Sequence, residues 1–229
     1  MTFLKISAAI IGPAAFWIGY FYYKDRRRPK PLVNLVEAYL LGLLSGFVCI
    51  EFYGVLARAG LTADFQAVLT RSTQMQFLSY SVVFVGLVEE IFKFIPFILV
   101  VLRFKAFDEP IDGIVYVAAL AVGFASFENL GYLPLMKGPA FLGRAVASPL
   151  THTVFSSIWG YAVGKARLSR TSITVASLIG LGLAGFAHGL FDFLTYTPAL
   201  RFVSALLILA IWAWGIWKLE GRKSGGGAA

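Results

Sequence analysis

Apolar positions run in long stretches along the chain, at about 3–23, 33–57, 77–102, 111–133, 146–164, 172–195 and 200–217, with polar residues gathered in short segments between them. Each stretch is near or above the ~20 residues with which a helix crosses ~30 Å of hydrocarbon. Strands of a membrane barrel would be about half as long and would alternate apolar with polar residues. These runs do not alternate. The pattern predicts an all-α, polytopic helical membrane bundle of about seven transmembrane helices. It is read as a single domain over 1–223, followed by a flexible Gly-rich tail at 224–229. Gly42, Gly46, Gly182 and Gly185 offer small-residue spacings at which such helices pack closely. Pro110 favours a helix start just beyond it.

Composition agrees with the pattern. Hydrophobic residues make up 59% of the chain and charged residues 14%, against about 25% charged in soluble domains. The first stretch is expected to be a retained span. Its cationic cluster (Lys24, Arg26, Arg27, Arg28, Lys30) follows the apolar run, whereas a cleavable signal carries its charge in front.

Thirteen Lys and Arg residues then fall on the side of that cluster and six on the other, with Lys93 alone deep inside a stretch. The bias predicts an N-terminus outside and a C-terminus in the cytoplasm. The net charge of +8 accordingly reads as topology and contact with the lipid bilayer, with no nucleic acid implied. The single Cys49 reads as packing, and the five tryptophans read as anchors and packing.

Against this apolar background one set of residues stands out. Glu89, Glu90, Lys93, Glu128, His152, His188 and Asp192 all lie inside predicted spans, and His152 and His188 are the only histidines of the chain. At 1.5 Å per helical residue most of them fall roughly 8–18 Å below the outer ends of their helices. Ionisable groups in spans mark a reaction centre or an ion path. Glu89 and Lys93, and His188 and Asp192, are four apart and share helix faces. Lys93 could thus neutralise a glutamate, and Asp192 could set the tautomer of His188. Glu90 points about 100° from Glu89, so one of the pair can face a site while the other braces it. Ser148 and Ser156, one turn either side of His152, could partner that histidine. Glu37 and Asp112 read as interfacial.

Four elements occur in order between about 85 and 195: Glu89-Glu90-Ile91-Phe92-Lys93; Phe124 through Glu128-Asn129; His152 with Ser156, Ser157 and Gly160; and His188 through Asp192. Together with Arg144 ahead of the third, they resemble the PrsW family of intramembrane proteases, related to the CAAX-prenyl protease group. The resemblance implies a membrane enzyme that hydrolyses peptide bonds in or near the bilayer. Its substrate would be a membrane protein or membrane-associated peptide, and its location the bacterial cytoplasmic membrane. Glu89, Glu90, Glu128, His152 and His188 are the candidate catalytic residues, with Lys93, Asn129 and Asp192 in support.

Two mechanisms suit these residues. In one, His152, His188 and Glu128 hold a divalent metal, zinc first among the choices, since three protein ligands plus water make the usual catalytic zinc site. In the other, no metal is needed: a glutamate takes a proton from water while the histidines and Asn129 stabilise the oxyanion. Glu89 and Glu90 are equal candidates for the base. A proton- or ion-coupled transporter using the same layer is the alternative function.

Overall fold

The computed structural model describes residues 3–26, 28–61 and 65–221, so the predicted tail at 224–229 lies outside the described residues. Every regular element among them is a helix. Helices α1 (Phe3–Lys24) and α2 (Leu32–Arg58) open the chain, and a short α3 (Phe65–Arg71) follows. Next come α4 (Gln74–Tyr80), a π-helical segment (Ser81–Leu87) and α5 (Val88–Leu99), which succeed one another without a break. Helices α6 (Asp112–Tyr132), α7 (Gly138–Leu168), α8 (Ile173–Tyr196) and α9 (Arg201–Gly221) complete the bundle.

Among the described residues, five helical runs are long and apolar enough to cross a membrane: Phe3–Lys24, Leu32–Arg58, Asp112–Leu135, Ile173–Tyr196 and Pro198–Lys218. Two of the seven predicted stretches are not among them. The stretch at 77–102 is divided between α4, the π segment and α5. The stretch at 146–164 belongs to α7, which is 31 residues long but carries Ser148, Thr151, His152, Thr153, Ser156 and Ser157 in its interior. No single helix of the first reaches spanning length, and the polar side chains inside α7 lower the apolar character of the second.

Helix α6 is the hub. Its residues from Gly113 to Ser126 are all buried, as expected of a helix apolar on every face, and α1, α2, α5 and α7 pack around it. Close approach depends on glycine at particular positions. A Cβ on Gly42 of α2 would strike the Leu120 carbonyl of α6, and one on Gly86 of the π segment would strike the backbone of Gly185 and Gly189 in α8. Gly46 and Gly185 likewise sit at helix contacts, whereas Gly182 has nothing within 4 Å and plays no such part. The outward faces are apolar, with Leu4, Leu178 and Phe202 all largely exposed.

At the end of the bundle remote from the site, the α1–α2 and α5–α6 connections are tied together. Lys30 Nζ lies 2.7 Å from Asp108 Oδ1 and 2.9 Å from Asp112 Oδ1, and Arg28 Nη1 lies 3.0 Å from Glu109 Oε1. Asp112, at the first residue of α6, is fully buried. Its Oδ2 accepts the backbone N–H groups of Asp108 and Glu109, both at 2.8 Å, which organises the turn after which α6 begins. The hydrogen bond from Lys30 holds the Asp108 carboxyl below the usual range. Burial pulls Lys30 down, but its bonds to Asp108 and Asp112 outweigh that and leave it above the ordinary lysine value.

Candidate active site

Four elements converge on one polar centre: α5 brings Glu89, Glu90 and Lys93, α6 brings Glu128 and Asn129, α7 brings His152, and α8 brings His188 and Asp192. Immediately before the glutamate pair, α5 is continuous with the seven-residue π segment. Wide helical turns of this kind are uncommon and collect at functional sites. Two hydroxyls of α2 grip the backbone of this run. Ser45 Oγ donates to the Phe92 carbonyl (2.5 Å) and Tyr53 Oη to the Phe84 carbonyl (2.6 Å).

The two adjacent glutamates have different surroundings. Glu90 is fully buried and saturated. Its Oε1 accepts from Lys93 Nζ at 2.7 Å and lies 3.0 Å from His188 Nδ1, while its Oε2 accepts from Ser156 Oγ at 2.7 Å and Trp159 Nε1 at 2.8 Å. Glu89 Oε2 is buried with no hydrogen-bond partner. It lies 3.8 Å from each of Lys93 Nζ, His152 Nδ1 and His188 Nε2. Lys93 therefore pairs closely with Glu90, three residues away, and only loosely with Glu89, four away.

Each histidine is held by a carboxylate on one nitrogen and faces Glu89 with the other. His152 Nε2 lies 3.0 Å from Glu128 Oε2, and its buried Nδ1 has no hydrogen-bond partner. Glu128 is held in turn by Arg144 Nη2 at 3.3 Å, while Arg144 Nε donates to Asn129 Oδ1 at 3.1 Å and the guanidinium lies 3.8 Å from the centroid of Tyr132. His188 Nδ1 lies on Glu90, leaving Nε2 toward Glu89. Carboxylates commonly orient metal-binding imidazoles in this manner. The Phe155 ring stacks on His188 (centroids 5.0 Å apart, 17° between planes), which fixes the ring plane.

Several sequence expectations meet different partners here. The close carboxylate of His188 is Glu90, while Asp192 Oδ2 stands 3.8 Å from Nε2. Ser156 serves Glu90 rather than His152, and the Ser148 hydroxyl has no hydrogen-bond partner. Trp159, read as packing, also donates into the centre. It follows His152 by seven residues, two helical turns on the same face, and that spacing was the signal available for it.

The donors Glu89, His152 and His188 lie within 4.8 Å of one another. Two imidazole nitrogens and a carboxylate oxygen form a donor set suited to a divalent metal. The partnerless Glu89 Oε2 and His152 Nδ1 are the buried polar atoms that such an ion would satisfy. Tetrahedral ligands at about 2.0–2.2 Å from an ion are roughly 3.3–3.6 Å apart, close to the 3.8 Å observed from Glu89 to each histidine. The cluster fits a metal.

Comparison with known proteins follows the same line. Residues 30–216 match the family described as PrsW family intramembrane metalloprotease. Protease PrsW of Geobacillus kaustophilus is 31% identical over 222 residues, spanning 96% of this chain and 93% of the relative. Protease PrsW of Oceanobacillus iheyensis is 30% identical over 83% of each chain, and that of Bacillus subtilis is 28% identical over 96% of this chain and 95% of the relative. No solved structure matches the chain. With the buried Glu-His-His cluster in the matched region, the chain belongs to the PrsW family of intramembrane metalloproteases and is a peptide hydrolase of the membrane.

Proposed function

We propose that Glu89, through Oε2, together with His152 and His188 would hold the metal, zinc by donor type, and that the other carboxylate oxygen of Glu89 accepts the proton in peptide hydrolysis. The observation carrying this reading is the partnerless Glu89 Oε2, 3.8 Å from a nitrogen of each histidine. Glu90 is a poor candidate for the base because its oxygens are already committed to four partners. Glu128 is engaged by His152 and Arg144, which favours an orienting role over the direct ligation expected from sequence.

When bound, zinc supplies Lewis acidity to the scissile carbonyl and to water. The protein's own part is positional and protic. Glu128 and Glu90 hold the two imidazoles so that His152 Nδ1 and His188 Nε2 present lone pairs to the centre. Glu89 takes one proton from the attacking water as its oxygen bonds to the carbonyl carbon, and returns that proton to the departing amine nitrogen as the C–N bond breaks. Asp192 stands at the edge of the centre, next to His188 Nε2. A transporter could use the same layer, but the family match and the compact donor triad favour hydrolysis.

The substrate class is a membrane-spanning or membrane-associated polypeptide, and the location the bacterial cytoplasmic membrane. Seven crossings, N-terminus outside and C-terminus in the cytoplasm, remain the preferred topology. The unbroken helical run from 74 to 99 and the 31-residue α7 support the two additional spans, and the Lys and Arg distribution supports the orientation.

The test is cleavage of a single-span substrate in liposomes by Glu89→Gln and Glu90→Gln. Glu89→Gln is expected to lose about 10²–10⁴-fold in rate. Wild-type turnover by that variant would overturn the assignment.

A further inference from the structure

The proposed centre requires His188 to present a bare Nε2, and the structure contains the apparatus for this on the far side of Glu90. An ionised carboxylate has about four lone-pair sites. Those of Glu90 are shared among Lys93, His188, Ser156 and Trp159. Lys93 and Trp159 can only donate. With its acceptor sites turned toward these groups, Glu90 calls for a proton on His188 Nδ1, and a neutral imidazole protonated there keeps its lone pair on Nε2.

The Trp159 indole is itself clamped. It is fully buried, with Phe94 and Phe97 edge-on at 5.3 and 5.0 Å between centroids. Helix α8 presses on its backbone through Gly180, where a Cβ would lie 2.8 Å from Trp159 Cα. The indole N–H is thus held in one direction, and Ser156, nearly one turn earlier on α7, supplies the second donor to the same oxygen. Bonds between Glu90 and α7 fix one oxygen and thereby orient the other toward His188 on α8.

We infer that Trp159 and Ser156 are positioning residues of the hydrolytic centre, acting through Glu90 to hold His188 in the Nδ1–H tautomer. This rests on the proposed role of His188 Nε2.

The chain has only two histidines, so ¹⁵N-imidazole NMR of the full-length protein in nanodiscs reports each ring, with His152→Ala providing the assignment. Wild-type His188 is expected in the Nδ1–H form. Trp159→Phe and Ser156→Ala should each admit the Nε2–H form, and Ser156→Thr should restore the wild-type spectrum. The same substitutions should weaken cobalt(II) binding about 10–100-fold and lower kcat with little change in KM. In a Glu90→Gln background, where a single side-chain oxygen remains to accept, Trp159→Phe should have a smaller effect. Unchanged tautomers in both Ser156→Ala and Trp159→Phe, or a Trp159→Phe loss of equal size in the Glu90→Gln background, would overturn the proposal. A wild-type protein that binds no cobalt yet shows the tautomer shifts would overturn the metal assignment and support the positioning role. Ser156→Ala keeps the question decidable if Trp159→Phe does not fold.

Discussion

Glu89 and Glu90 are consecutive in sequence and opposite in hydrogen bonding: Glu90 is held by Lys93, His188, Ser156 and Trp159, while Glu89 Oε2 has no hydrogen-bond partner. One carboxylate is bound into the framework and the other is left free toward the histidines. Replacing Glu90 by Gln should accordingly act on metal binding as well as on rate. Isothermal titration with zinc should show an affinity about 10–100-fold below wild type, with the helical content of the protein retained. Wild-type affinity would dissociate Glu90 from the orientation of His188.

Glu128 and Arg144 should behave as a pair because both act on His152. Glu128→Gln is expected to weaken metal binding about 10–100-fold. Arg144→Ala should give a smaller loss, since the 3.0 Å contact from Glu128 to His152 remains. Combining the two should cost less than the sum of the separate effects, as expected for residues in one network. A titration of the three variants side by side reads this coupling, and strict additivity would break the chain from Arg144 through Glu128 to His152.

Removal of the metal offers a direct test. Dialysis of the nanodisc-reconstituted enzyme against a strong chelator should abolish substrate cleavage, and zinc or cobalt should restore it. Magnesium should not, because it favours octahedral all-oxygen sites over imidazole. Full activity in a protein verified metal-free by elemental analysis would point instead to a water held by Glu89 and the histidines alone.

The π segment and α8 touch backbone to backbone, so Gly86→Ala should be costly for steric reasons alone. Overpacking of this type costs about 1–3 kcal/mol. Helix propensity would favour alanine by about 1 kcal/mol, so a net loss of thermal stability requires the contact to be as close as observed. Gly182→Ala on α8 has open space around it and should be neutral or stabilising. Thermal unfolding of the two variants in one detergent compares them directly.

The Lys30 cluster predicts a pH dependence at the other end of the bundle. Asp108 is held below its ordinary range by Lys30, so its contribution is present above the ordinary aspartate pKa and is lost as pH falls through the depressed value. Lys30 is held above its ordinary value despite burial, so its contribution is complete below the ordinary lysine pKa and is lost as pH rises through the raised one. Asp108→Asn should flatten the acid limb of thermal stability at a cost of about 0.2–1 kcal/mol, since the Asp108 side chain is 56% exposed. Lys30→Met should cost more, about 3–5 kcal/mol, because it leaves the buried Asp112 without its cation. Equal losses from the two would remove Asp112 from the argument.

The amino-acid sequence alone determined which ionisable groups enter the apolar stretches and in what order, because burying charge in hydrocarbon is costly enough to stand out in a single chain. It also carried the helical class, through stretches of spanning length without alternation, and the neighbours within one helix, through spacing of three and four. Lys93 was thereby placed beside the glutamates, although the spacing did not say that Glu90 would take the close contact. What only tertiary structure decided was the direction of each group across helices. Glu90 meets Ser156, Trp159 and His188 over separations of 66, 69 and 98 residues, and His152 meets Glu128 over 24. Such contacts depend on the rotation and depth of each helix, set here by the glycine contacts of α2 with α6 and of the π segment with α8. A rotation of about 100° exchanges Glu89 for Glu90, and the packing of the bundle resolves that choice.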